Sequence, residues 1–445
     1  MKILVPSPVT PNKNSLRTIY ISEIIKNLKE ITNLDFFWFV YQPDKLESFN
    51  FSDFNILDIH DFNNAMDCLN QIKPDCVMIG SSYEPIQYAF SIACKKLKIR
   101  LVSFSYFGYE YFEKAVAEHQ DQSQFMTKSN KIVSHLRNII SNKVPTDSEE
   151  QKFFLRRLKF ILYKMKFLKR TKESIGYKTN FFQEIFSYSS DSFLRKELPI
   201  NKFPDLHLLP DDSWIEHLKS IGIDKEKLCI TGSPYWDQLY QNSKRYNPKK
   251  ITDNKISILI ITDALVEHGI WNKNKFTSFI SDLITELSKK PEFSFSFKIH
   301  PVSEHKTKYQ NLFQQLGNNF VIYQQENIWD IIEKFDLIIT FGFSTIHSEL
   351  SLLGAKMILL DFDFVFPLSP FVKEGIEFGN VLRCTDINHL NNMIVNFTNK
   401  SNITDKSFIS SRENFLYKFD GKSGLRVSEA LIKLINNNTT EKKQI

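Results

Sequence analysis

The 445-residue chain carries a formal net charge of +6, with 42% hydrophobic, 24% charged and 14% aromatic residues. That balance and length suit a globular protein of two or three domains, and so mild a cationic excess does not by itself point to nucleic acid. The five cysteines (Cys68, Cys76, Cys94, Cys229 and Cys384) include no CxxC pair, which argues against a disulfide framework and a zinc site and fits a reducing cytoplasm.

The opening MKILVPSP reads as one short strand and a proline turn, without the long apolar stretch of a signal peptide. Nowhere do about 18 or more apolar residues run without a charge, so no membrane-spanning helix is expected. Residues 2–5 form a strand, 15–28 a helix with Leu16, Ile19, Tyr20, Ile24 and Leu28 on one face, and 35–40 a strand buried on both sides. A helix over 65–72, a strand over 76–80, a helix over 85–97 and a strand over 100–105 follow. This alternation predicts a parallel sheet with helices on both faces.

From about 113 to 200 the pattern turns helical and basic. Residues 151–172 hold nine Lys or Arg and no Asp or Glu, while Phe154, Leu158, Ile161, Met165 and Leu168 recur at helical spacing. A helix of this kind can lie on an anionic bilayer, with Arg156, Arg157, Lys164 and Lys166 facing the surface. Packing on the domain with a solvated cationic face explains the same pattern. Short strands at 206–209 and 228–230 flank a helix at 212–221. The polar stretch 241–254 reads as a linker, so the first domain is 1–240.

The second domain, 255–435, has strands at 256–261, 293–299, 320–323, 337–340 and 357–360, with helices between them. The tail 436–445 (NNNTTEKKQI) is polar and expected to be disordered. Two such sheets would turn their strand C-termini to one cleft, where open α/β sheets bind ligands. Four strand ends here carry unusual residues. Lys298-Ile299-His300-Pro301 sets a cation and an imidazole beside phosphate oxygens or a leaving group gaining negative charge. In Thr340-Phe341-Gly342-Phe343-Ser344-Thr345, glycine permits close approach and a helix start offers free N–H groups to an anion, although plain capping needs the same residues. Glu349, one turn on, could accept from a ribose. Asp263 and His268 lie in the polar loop after the first strand. Asp361-Phe362-Asp363 is a weak metal match, and no metal or cofactor is expected. In the first domain Glu84 and Glu110 follow strand ends and are candidate general bases, each with a plain surface role as the alternative.

The order Gly232-Ser233-Pro234-Tyr235-Trp236-Asp237, polar linker, strand, Lys298 to Pro301, strand, Ser344-Thr345 before a helix and Glu349 resembles bacterial surface- and capsular-polysaccharide transferases. Those include sialyl- and Kdo-transferases and CDP-glycerol glycerophosphotransferases, and the likeness covers 205 to about 361. It implies the GT-B fold, an α/β architecture of two Rossmann-like domains facing a cleft, with the basic helical segment inserted in the first. It also implies that His300, Ser344 and Thr345 contact the phosphate of a CMP-, CDP- or UDP-activated sugar, with Lys298, Pro301, Gly342, Gly232 and Ser233 beside them. The acidic-acidic-Gly segment of many such enzymes has its nearest match in Tyr106-Phe107-Gly108, with no acid before the glycine. The expected partners are a nucleotide-sugar and a glycan or lipid-linked acceptor, in the cytoplasm or at the inner face of the cell membrane. The alternatives are transfer from a CDP-polyol, a UDP-sugar 2-epimerase or hydrolase on a similar fold, and a non-catalytic polysaccharide-assembly module.

Overall fold

The computed structural model describes residues 1–7, 11, 15–41, 54–80, 84–108, 149–178, 180, 203–246, 255–267, 270–301, 304–317, 319–342, 344–362, 368, 370–399 and 416–441. The chain divides into two compact units, Met1–Asp237 with Leu416–Ile445, and Gln238–Phe415.

The first unit is a seven-stranded parallel sheet in the order β3-β2-β1-β4-β5-β6-β7. Its strands are β1 (Lys2–Val5), β2 (Asp35–Val40), β3 (Asn55–Asp58), β4 (Cys76–Gly80), β5 (Arg100–Phe104), β6 (Leu206–Leu209) and β7 (Leu228–Ile230). From β1 the chain steps outward to β3, then returns to place β4 on β1's other side. Right-handed crossovers in opposite directions put the connecting helices on opposite faces. Those helices include α1 (Leu16–Ile31), capped by the Ser15 hydroxyl, α2 (Ala65–Ile72) and α3 (Pro85–Leu97).

The basic segment folds as α4 (Glu149–Ser174). Met165, Phe167 and Leu168 are buried in the first unit's core with Phe39 and Phe90. The Tyr163 hydroxyl donates to the carbonyl of Ile59 at 3.2 Å, and the N–H of Ala65 donates to Thr171 Oγ1 at 3.1 Å. This half of the apolar face is therefore spent on the protein's own core, which accords with the reading in which the helix packs on the domain. Of the four cations expected at a membrane surface, Lys164 places its ammonium 3.1 Å from Glu84 Oε1. Lys166 is exposed, and the side chains of Arg156 and Arg157 lie outside the described residues.

Two boundaries differ from those expected. The C-terminal helix, Ser423–Glu441, extends six residues into the tail expected to be disordered, and the chain from Leu416 belongs to the first unit. Its Ser428 packs on α1, donating to the carbonyl of Ile24 at 3.4 Å. The expected linker begins inside a helix, α6 (Tyr235–Arg245), which follows α5 (Ser213–Ser220). Residues 247–254 lie outside the described residues. Among the described residues no helix is long and apolar enough to cross a membrane.

The second unit is a six-stranded parallel sheet in the order β10-β9-β8-β11-β12-β13. The strands are β8 (Ile256–Ile261), β9 (Phe293–Lys298), β10 (Ile322–Tyr323), β11 (Leu337–Phe341), β12 (Met357–Leu360) and β13 (Val381–Cys384). The order reverses between β8 and β11, which pair from Leu337↔Ile258 to Thr340↔Ile261. Ile258, Ile260, Phe297, Ile339 and Ile358 sit in one core with α7 (Lys273–Ser288), which supplies Phe276, Ile280 and Leu283. The central strands β8, β11 and β12 are apolar along nearly their whole length because both faces are covered.

Candidate functional site

The reversal between β8 and β11 is where a sheet of this order leaves a crevice outside the strand ends, and two sequence-selected residues meet there. Gly342, the residue after β11, has φ +84°, and a Cβ placed on it would lie 2.6 Å from Asp263 Oδ2 and 2.8 Å from Asp263 Cβ. Glycine is required twice over, by the left-handed backbone and by the contact. Asp263 follows β8 by two residues and is buried.

Ser344 caps the next helix, α8 (Thr345–Leu353), accepting from the N–H of Ile346 at 3.5 Å. Thr345 opens the helix, where N–H groups lack intrahelical acceptors and the dipole favours an anion. Glu349 lies one turn further on and is buried. His347, which the sequence did not single out, ties this helix to its strand through Nε2 and Thr340 Oγ1 at 2.6 Å. Burial lowers its pKa to about 4, so the imidazole is neutral.

The Lys298 to Pro301 segment divides into two roles. Lys298 Nζ donates to the carbonyls of Gln324 at 2.7 Å and Ile299 at 3.4 Å. Its ammonium thus ties the ends of β9 and β10, in place of the expected direct phosphate contact. Burial lowers its pKa to about 8, opposed by the charges of Glu326 and Glu304. His300 is half-buried, and its backbone N–H donates to Glu304 Oε2 at 2.6 Å. Pro301 accepts at its carbonyl from Gln325 Nε2 at 2.9 Å.

Glu304, also missed by sequence reasoning, is the hub beneath this corner. It is 1% exposed and accepts from Thr262 Oγ1 at 2.6 Å and from the Tyr309 hydroxyl as well as from His300. Burial raises its pKa, opposed by those three hydrogen bonds. The carboxyl fixes the loops after β8 and β9 to each other. A cavity of about 330 Å³ also opens beside Gly342, lined by Trp271, Phe279, Phe341, Asp282 and Asp361 among others. Asp361 pairs with Arg383 Nε at 2.6 Å, and Asp363 lies outside the described residues, as does His268.

The Gly-Ser-Pro-x-x-Asp string has a structural partner. Gly232, at φ +78°, packs so tightly that a Cβ would lie 2.5 Å from Ser423 Oγ and 3.1 Å from the carbonyl of Tyr417. Asp237 caps the C-terminal helix, accepting from the N–H groups of Ser423 at 3.0 Å and Gly424 at 2.7 Å. Ser233 is buried in the same first unit. The motif staples the chain's end onto that unit.

Glu84 is spent too. It caps α3, accepting from Ile86 at 2.8 Å and Gln87 at 3.1 Å, and pairs with Lys164. Its pKa is raised by burial, against the lowering pull of Lys164 and the two N–H groups. Those contacts fit a structural carboxylate better than the expected general base. Glu110 lies outside the described residues.

No protein-family model matches the sequence, and no curated protein matches it at a significant level. Solved structures of like fold are found. The UDP-GlcNAc 2-epimerase from Methanocaldococcus jannaschii is 16% identical, with 97% of this chain and 100% of the other covered and a TM-score of 0.53. The UDP-GlcNAc 2-epimerase from Neisseria meningitidis, solved with UDP-GlcNAc bound, is 16% identical over 97% and 100%, with a TM-score of 0.52. A UDP co-structure of MnaA from S. aureus is 13% identical over 98% and 97%, also at 0.52. At these identities the likeness establishes the fold, two Rossmann-like parallel-sheet domains.

Proposed function

We propose that the protein is a nucleotide-sugar-dependent glycosyltransferase, moving a sugar from an activated donor to a surface-polysaccharide or lipid-linked acceptor. The observation that carries this reading is the meeting of Asp263 and Gly342 at the order reversal of the second unit, two residues before the Ser344 cap. A helix start with free N–H groups is suited to a donor's phosphates, and His300, held at its backbone by Glu304, to the negative charge that develops as the nucleotide leaves. Glu349, a turn into the same helix, suits a ribose hydroxyl. A UDP-linked donor has the added support that two structures of like fold hold UDP or UDP-GlcNAc. Protein donors and a helix end can carry the charge, so the reading needs no metal.

A 2-epimerase or hydrolase would use the same donor site without an acceptor. One experiment separates the readings. Purified protein is incubated with UDP-GlcNAc, other UDP-, CDP- and CMP-sugars and CDP-glycerol, with and without membrane-extracted glycan acceptors. Nucleotide release that requires the acceptor supports transfer, and CDP-glycerol as the donor marks the glycerophosphotransferase branch. Free sugar or a 2-epimer without acceptor sinks the transferase reading. Failure of every donor to turn over leaves the non-catalytic module.

A further inference from the structure

The first unit holds a polar cluster, at the C-terminal mouth of β1, that the donor site does not use. Ser7 lies two residues past β1, Arg17 is in the first turn of α1, and Tyr106 is two residues past β5. The Arg17 guanidinium donates from Nε to the Tyr106 hydroxyl at 2.9 Å and from Nη1 to Ser7 Oγ. Among the described residues no carboxylate pairs with it. Tyr20, one turn along α1, is 0% exposed, and its hydroxyl has no hydrogen-bond partner among the described residues. Its ring stacks on Phe104 at 4.8 Å and meets the Tyr106 ring at 5.2 Å.

The hydrogen-bond inventory is one-sided. Ser7 and Tyr106 each use a lone pair to accept from Arg17, which leaves both O–H protons to be donated elsewhere. Burial keeps Tyr106 protonated by raising its pKa, against the opposing pull of Arg17. Arg17 keeps its outer N–H groups, and Tyr20 adds an unanswered O–H. Buried donors are seldom left unpaired, and what accepts from donors arranged about a positive charge is an oxyanion. The planar fork of arginine fits phosphate in particular. The position agrees, since β1 is the strand about which the sheet order reverses.

We propose that Arg17, Tyr106 and Ser7 form a phosphate-binding site in the first unit. The phosphate is either free or carried on a lipid. That it belongs to the acceptor rests on the transferase reading, whereas the site itself does not.

The test uses the full chain. Inorganic pyrophosphate is titrated calorimetrically, and phosphatidylcholine vesicles with and without phosphatidic acid are co-sedimented, for wild type, Arg17→Gln, Arg17→Lys and Tyr106→Phe. Arg17→Gln is expected to weaken pyrophosphate binding roughly ten- to a hundredfold, the loss for a charge-assisted contact, with Arg17→Lys recovering part of it. Tyr106→Phe, which removes one donor and keeps the ring, should weaken it severalfold and carries the test if Arg17→Gln misfolds. Arg17-dependent binding to the phosphatidic acid vesicles assigns the phosphate to a lipid, and Arg17 dependence in the pyrophosphate arm alone assigns it to a soluble ligand. Wild type that binds in neither arm, or binding unchanged in Arg17→Gln and Tyr106→Phe, overturns the site. A chain that turns over no nucleotide donor yet binds pyrophosphate through Arg17 overturns only the transferase reading.

Discussion

Gly232 and Gly342 follow parallel strands in different units, both at positive φ, both shortly before a serine and a helix. By sequence they are alike, and their surroundings are not. Gly232 is covered by Ser423, Tyr417 and Arg426, and Asp237 of the same motif fills the start of the C-terminal helix with its carboxylate. The neighbour of Gly342 is Asp263, two residues past the strand across the order reversal, and the helix start beyond it carries the short Ser344 cap. A strand-Gly-Ser-helix turn is therefore a fastening where a carboxylate from elsewhere in the chain accepts from the helix-start N–H groups, as Asp237 does, and a candidate ligand site where the serine hydroxyl is the cap, as at Ser344.

The largest expected effect tests the fastening. Asp237→Ala leaves two buried N–H groups unanswered and should cost about 3 kcal/mol in denaturant unfolding, with nucleotide affinity of the folded protein unchanged. A drop in nucleotide affinity there would break the contrast.

The helix beyond Gly342 should show its own pH dependence. His347 has a folded pKa of about 4, below the ordinary value of 6.5. The unfolded chain thus binds the proton first, and the contribution is intact above about 6.5, lost progressively down to about 4, and flat below. The loss is on the order of 3 kcal/mol, and unfolding curves across that range for wild type and His347→Gln should differ by this slope.

Gly232→Ala and Gly342→Ala should each destabilise by about 2 kcal/mol, through positive φ and a Cβ clash. Only Gly342→Ala should weaken nucleotide binding tenfold or more. The smallest effect, about 1 kcal/mol in stability, is expected for Ser344→Ala from loss of the cap, with a severalfold loss of nucleotide affinity measured alongside.

The long-range partners explain what the sequence hid. Strands buried on both faces, such as Asp35–Val40 and Ile256–Ile261, are legible because continuous apolar runs need no context. Two of the edge strands, Asn55–Asp58 and Val381–Cys384, are short and half-covered, so their apolar pattern is faint. Asp237 reads as part of a ligand motif because its true partner lies 186 residues on, at Ser423. Glu84 reads as a base until Lys164 is brought beside it. Glu304 is unremarkable in sequence, and burial among Thr262, Tyr309 and His300 gives it its role. Asp263 and Gly342 were both legible as strand-end residues, and their contact was not.

Donor-nucleotide binding at the second unit's order reversal is the property on which the proposed function depends. It is tested most directly by titrating UDP, CDP and CMP into wild type, Gly342→Ala and Gly232→Ala and following the calorimetric heat. Saturable binding of at least one nucleotide to wild type and Gly232→Ala is expected, weakened tenfold or more in Gly342→Ala. Equal affinity in all three proteins, or no binding to any, would contradict it.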